Sequence, residues 1–161
     1  MKKASVSRLV VLAALLEIFE IDTFIETGTQ HGISASAVAK CSAEKNLNLS
    51  MHSIDVGSPL LVRREPEVNY IQLKRPARKH FMKITQDIAQ GKTMFFHDSD
   101  HTFENMYFEF NWAWNYLGVE ILVSDDIDMN NAYSNFCSDN SITEYRIKMD
   151  SGTTIGVAIR Q

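Results

Sequence analysis

Two segments of the chain end an apolar run in a burst of acid. One is Phe95-Phe96-His97-Asp98-Ser99-Asp100-His101, and the other runs from Gly118 through Val119-Glu120-Ile121-Leu122-Val123-Ser124 to Asp125-Asp126. Aromatic and β-branched residues in short runs read as strands inside a core, and carboxylates packed there would be costly unless they leave the sheet edge and meet a partner. Side by side, the two strands bring Asp98, Asp100, Asp125 and Asp126 into one crevice. Carboxylate oxygens at Asp98, Asp125 and Asp126 suit a hard divalent cation such as Mg²⁺, which could bind a substrate hydroxyl and hold the resulting oxyanion. The plainer reading is capping and loop hydrogen bonding, with Asp100 capping a helix that begins at Thr102. Like charges this close need compensation, and no Lys or Arg adjacent in sequence supplies it. His101 is a candidate general base toward an acceptor hydroxyl or a metal-side donor, whereas His97 faces the opposite way by strand alternation and reads as structural.

A second constellation lies earlier. Glu26-Thr27-Gly28-Thr29-Gln30-His31-Gly32 is a loop with two glycines four apart, which allows a ligand close to the backbone N–H groups. It has neither the glycine spacing of a dinucleotide fingerprint nor the lysine of a phosphate-binding loop. Asp55, at the end of Ser53-Ile54-Asp55-Val56, can accept both hydroxyls of a ribose lying across the first two strands. Loop and carboxylate together indicate a nucleoside-containing cofactor without a pyrophosphate.

The elements that must position these groups follow from periodicity. Leu9, Leu12, Leu15, Leu16 and Phe19 predict an amphipathic helix from about Val6 to Glu20. A strand at Phe24 to Glu26, the glycine loop, and a helix N-capped by Ser34 or Ser36 come next, then a strand from Ser50 to Val56. The stretch from Leu60 to Glu67 reads as a short irregular helix. Val68 to Leu73 alternates as a strand, a helix starts near Pro76 and is closed by Gly91, and Lys92 to His97 is the fourth strand. A helix from Thr102 to Leu117 carries Phe103, Tyr107, Phe110, Trp114 and Leu117, a stripe for packing on a sheet. The fifth strand spans Gly118 to Val123, a short helix spans Met129 to Cys137, and two strands flank the turn at Asp150-Ser151-Gly152. Alternating strands and helices with a terminal hairpin predict a Rossmann-like, doubly wound, mostly parallel seven-stranded α/β sheet with a C-terminal antiparallel hairpin. In such sheets ligands bind at the carboxyl ends of the strands, which is where Glu26, Asp55, Asp98 and Asp125 fall.

Length and charge bound the rest. The 161 residues fit one domain, and 16 basic against 20 acidic residues give a net charge of −4, with no dense basic block to attract nucleic acid. The basic-then-apolar start is interrupted by Arg8 and followed by Glu17 and Glu20, and is too short to span a bilayer, so it is read as a packed helix rather than a signal or anchor. Cys41 and Cys137 lie far apart and are expected as small buried thiols, in keeping with a cytoplasmic protein.

Phe24-Ile25-Glu26-Thr27-Gly28-Thr29 with Gly32, His52-Ser53-Ile54-Asp55, Phe96 to Glu104, and Leu122-Val123-Ser124-Asp125-Asp126 together resemble the successive motifs of a class I S-adenosylmethionine-dependent methyltransferase. The resemblance is to methyltransferase family 24, with its macrocin-type O-methyltransferases and cephalosporin-hydroxylase-like relatives. It implies one domain over residues 1–161, with an N-terminal helix in 1–20, a cofactor-binding core over 24–126 and a hairpin over 142–160. It further implies that Glu26, Gly28, Thr29 and Gly32 underlie the methionine part of S-adenosylmethionine, and that Asp55 binds the ribose. Asp98 would join the cofactor and catalytic regions, with His101 as the second catalytic candidate. Asp98, Asp125 and Asp126 would match the Mg²⁺ or other divalent-metal positions of metal-dependent relatives. The implied acceptor is a small-molecule or glycan hydroxyl, with no nucleic-acid or membrane partner. Little sequence precedes the first strand to form a lid, so the acceptor pocket is expected to be open, completed by another subunit of a homo-oligomer, or shaped for a large acceptor. Two other readings stand beside this one: a catalytically degenerate Rossmann-like binding or partner subunit, and a hydroxylase-like protein in which paired aspartates and His101 hold Fe(II).

Overall fold

The computed structural model describes residues 6–58, 60, 64–75 and 77–160. In chain order the elements are α1 (Val6–Ile18), β1 (Thr23–Thr27), α2 (Ile33–Lys45), β2 (Ser50–Asp55), β3 (Val68–Gln72), α3 (Ala77–Ile88), β4 (Thr93–His97), α4 (Phe103–Asn111), β5 (Ile121–Ser124), α5 (Ala132–Asp139), β6 (Tyr145–Lys148) and β7 (Thr154–Ile159). A π-helical turn, Trp112–Leu117, continues α4, and a 3-10 turn, Ile127–Met129, precedes α5. The strands form one sheet in the order β3-β2-β1-β4-β5-β7-β6, parallel except for β7, which runs antiparallel to both its neighbours. This is the doubly wound sheet with a terminal hairpin that the sequence predicts.

Strand alternation splits the core into two layers. Phe24, Met51, Met94, Phe96 and Val123 face α1 and α2, where Leu12, Leu16, Ala35 and Val38 meet them. Ile25, Ile54, Phe95 and Leu122 point the other way, into a layer with Phe81, Phe110, Tyr133 and Phe136. Phe24 stacks on Phe96 across neighbouring strands, at 6.5 Å between ring centroids. The same parity sends the acidic side chains that follow Phe24, Phe96 and Val123 toward the α1 side of the sheet.

Four local expectations change. Neither Ser34 nor Ser36 caps α2: the N-cap is Gly32, in the left-handed region at φ 68°, and both serines sit inside the helix and donate to carboxylates instead. The helix from Thr102 is α-helical only to Asn111. Trp112 and Trp114 lie on roughly opposite sides of this segment, yet both are buried, at 6 % and 8 % exposure, because α3 covers one and Phe136 of α5 the other. Trp112 donates from Nε1 to Thr85 Oγ1 at 2.9 Å, and the Arg160 guanidinium lies over the Trp114 ring. Met129 closes the 3-10 turn, so α5 begins only at Ala132. The irregular helix expected between Leu60 and Glu67 falls largely on residues 61–63, outside the described residues, as does Pro76 at the start of α3.

Candidate functional site

The sheet order reverses at β1, which has β2 on one side and β4 on the other, so the crossovers leave in opposite directions and open a crevice at the carboxyl edge. Backbone bonds carry the ladder past the strand ends: Gly28 N–H donates to Ile54 O at 2.8 Å, Asp98 N–H to Thr27 O at 2.9 Å, and Asp125 N–H to His97 O at 2.9 Å. The crevice holds a cavity of about 370 Å³. One wall is apolar, from Ile54, Val56, Leu73 and Phe81, and another is acidic, from Asp55, Asp98, Asp100 and Glu109. Lys74 and Arg75, which follow Leu73, are not part of the wall.

Gly28, just past β1, packs against the backbone of Asp98 and Ser99, just past β4. Its φ is 89°, and a Cβ there would fall on the Asp98 carbonyl, so the sequence needs glycine here for both reasons. Asp55 closes the far end of the cavity. Its Oδ2 accepts from Gln30 N–H and its Oδ1 from Gly57 N–H, each at 3.0 Å, which ties the glycine loop to the end of β2. Each oxygen retains a second acceptor site for a ligand.

Glu26 lies beneath the loop rather than in the cavity. Fully buried, it accepts from the Ser34 and Ser53 hydroxyls, and Ser53 in turn contacts Thr29 at 2.8 Å. Burial outweighs these donors and pushes the Glu26 carboxyl up to about 7. Thr29 and Gly32, also expected at the cofactor, are likewise outside the wall: Thr29 is buried on Ser53 and Gly32 starts α2.

Glu109 is a site residue that the sequence reading missed. Its Oε2 accepts from Thr27 Oγ1 at 2.7 Å and pairs with His97 Nδ1 at 2.7 Å, while Oε1 accepts from Ser99 and Asn105. Burial alone would raise it, but the His97 imidazole and these donors draw it below its ordinary value. His97 thus joins β4 to α4 under the cavity floor, the structural part expected of it. A signal was present: Glu109 sits beside Phe110 on the buried side of an aromatic helix, where a lone carboxylate demands a partner.

The acidic corner contains a cation that its local sequence does not suggest. Arg8 of α1 reaches across the edge, its Nη1 3.1 Å from Asp98 Oδ2 and paired also with Asp125 Oδ2. The compensation that no Lys or Arg adjacent in sequence supplies comes from a partner 90 and 117 residues away. Burial, then Asp125 and Glu26, push Asp98 well above the usual carboxylate range against the pull of Arg8. Among the described residues no three His, Cys, Asp or Glu side chains are grouped to hold a metal ion. Asp98 and Asp125 point their Oδ2 atoms at a guanidinium, so a divalent ion or Fe(II) does not fit between them while Arg8 is seated. Asp126 takes a left-handed backbone, φ 48°, at the start of the 3-10 turn.

Asp100 has two roles: it lines the cavity, and it holds the start of α4 by accepting from Thr102 N–H and Oγ1, each at 3.2 Å. His101 is outside the cavity wall, its ring edge-on to His97 at 5.3 Å. Burial and His97 hold its imidazole below the ordinary value, and its Nε2 is buried with no hydrogen-bond partner among the described residues.

No sequence family and no curated protein matches the chain. Solved structures do match in three dimensions. A CmcI structure with Mg and SAM superposes with a TM-score of 0.68 at 13% identity, covering 94% of this chain and 70% of that one. An O-methyltransferase from Bacillus cereus in complex with SAH gives 0.58 at 14% identity, covering 98% and 83%. The chain shares the Rossmann-like fold of these structures. The methyltransferase domain of a bacterial CtHen1 shares it at nearly full length, with a TM-score of 0.61, 12% identity, and 95% and 97% of the two chains covered. Among the described residues no helix is long and apolar enough to cross a membrane.

Proposed function

We propose that the protein transfers a methyl group from S-adenosylmethionine to a hydroxyl of a small molecule or glycan. The observation that carries this is the cavity at the β1/β4 reversal, with an apolar wall, Asp55 at one end and Asp98 at the other. When bound, S-adenosylmethionine supplies a methyl group already activated on a sulfonium. The residues of the chain fit it: Ile54, Val56, Leu73 and Phe81 suit the faces of a purine, and Asp55 has acceptor sites left for two ribose hydroxyls. Gly28 lets a ligand lie against the backbone, and the carboxylates of Asp55, Asp100 and Glu109 in the lining favour a ligand carrying positive charge.

The protein's part is then alignment and proton handling. Asp98 is the proposed proton acceptor, because it lines the cavity and burial raises its affinity for a proton, whereas His101 Nε2 is buried outside the wall and does not face an acceptor hydroxyl there. The test is incubation with methyl-labelled S-adenosylmethionine and a panel of phenolic and sugar alcohols, followed by isolation of the labelled product. Label on oxygen, with kcat lowered roughly 10²-fold or more by Asp98→Asn, is the expected result. Label on nitrogen alone, or an unchanged kcat in the variant, would contradict the respective half.

A further inference from the structure

We propose that Arg8 is the resident counter-cation of the acidic corner, standing in the place of a divalent ion and making the site metal-independent. The inference deepens the methyl-transfer reading and rests on it only for what the corner is used for. Its geometry stands alone. Arg8 presents Nη1 to Asp98 Oδ2 and Asp125 Oδ2 together, and its side chain is only 11% exposed. The guanidinium also lies over the Phe96 ring, 5.6 Å from its centroid, so it is braced by β4 immediately before the carboxylate that it holds.

The element that delivers Arg8 is itself anchored. Leu12 and Leu16 are buried against the sheet, and Ser7, next to Arg8, donates to Asp150 Oδ1 at 2.6 Å and accepts from Asp150 N–H at 3.2 Å. At its other end Glu17 pairs with Lys45 of α2 at 3.1 Å. Arg8 is thus carried into the crevice by a docked helix, one helical turn before the buried Leu12.

Electrostatics makes the two cations alternatives. Of the charges acting most strongly on Asp98, Arg8 alone favours its ionised form, while Asp125, Glu26 and Asp126 oppose it. Without Arg8 the charges that act most strongly on Asp98 among the described residues are all carboxylates, the arrangement that recruits a divalent ion. With Arg8 seated, an ion bound to the same Oδ2 atoms would lie beside a fixed positive charge in a poorly solvated corner, where like charges repel strongly. Arg8 is accordingly a positioning residue: it fixes Asp98 in the cavity wall and excludes a metal.

The test is a Mn²⁺ titration followed by the paramagnetic signal of unbound ion, on the full chain as wild type, Arg8→Lys, Arg8→Gln, Asp125→Asn and the double variant Arg8→Gln with Asp125→Asn. The wild type and Arg8→Lys are expected to leave Mn²⁺ unbound, Arg8→Gln to bind one equivalent, and the double variant to lose it again. If Arg8→Gln does not fold alone, refolding is repeated with Mn²⁺ and with KCl at matched ionic strength; rescue by Mn²⁺ only supports the proposal. Binding by the wild type that Asp125→Asn abolishes would overturn it, and so would absence of binding or of rescue in Arg8→Gln. Titration of the wild type with S-adenosylhomocysteine in EDTA runs alongside. Failure of that titration would count against the methyl-transfer reading and leave the Mn²⁺ result standing.

Discussion

Glu26 shows how one buried residue shapes the pH behaviour of the fold. Its carboxyl is pushed from an ordinary 4.5 to about 7, chiefly by burial. The folded chain therefore holds this proton more tightly than the unfolded chain does. Its contribution to stability is complete below about 4.5 and is lost as pH rises through about 7, a decline of about 3 kcal/mol from this group. Urea unfolding of the wild type and Glu26→Gln over this range should give different pH slopes, with the decline reduced in the variant by about that amount. Parallel slopes would mean that Glu26 titrates normally. The serine hydroxyls that meet Glu26 were not legible as its partners, because Ser34 looks like a helix cap in sequence and Ser53 like an ordinary strand residue. The strand-end position of Glu26 was legible; its depth was not.

At the scale of elements, periodicity carried far. The two faces of the sheet, the helix α1 and the terminal hairpin all follow from apolar spacing that the structure retains. Periodicity fails where backbone geometry changes its period, as in the π turn after Asn111, which a helical stripe running to Leu117 does not foresee. It is also blind to a contact between distant elements: Arg8 reads as an interruption in an apolar helix, and only docking of α1 shows that it is aimed at Asp98 and Asp125. A comparable contact between β7 and α5 sets a prediction. A Cβ at Gly156 would lie 2.6 Å from the ring of Tyr133, which is fully buried and packed edge-on to Phe110. Gly156→Ala should destabilise the protein by about 1–3 kcal/mol through overpacking. Affinity for S-adenosylhomocysteine should stay near wild type, since Gly156 is not in the cavity wall. Chemical denaturation together with calorimetry checks both halves; wild-type stability would show that α5 shifts freely.

At the scale of the whole molecule, the strand order places four acidic positions along one edge of adjacent parallel strands, and the reversal between β2-β1 and β4-β5 opens the cavity among them. The chain places Asp55 and Asp98 on opposite sides of that opening by strand order alone. The wall residues Gln30, Asn105 and Glu109 come from a loop and a helix, whose directions depend on tertiary contacts and so were not readable beforehand. The central claim is that this opening receives S-adenosylmethionine. Calorimetric titration of the wild type and Asp55→Ala with S-adenosylhomocysteine tests it most directly. Loss of a carboxylate that accepts ligand hydroxyls is worth about 1.5–3 kcal/mol, or roughly a tenfold to hundredfold loss of affinity. The account predicts saturable one-to-one binding by the wild type and weakening of that order in a folded Asp55→Ala. No heat of binding from a folded wild type, or equal affinity in the two proteins, would contradict it.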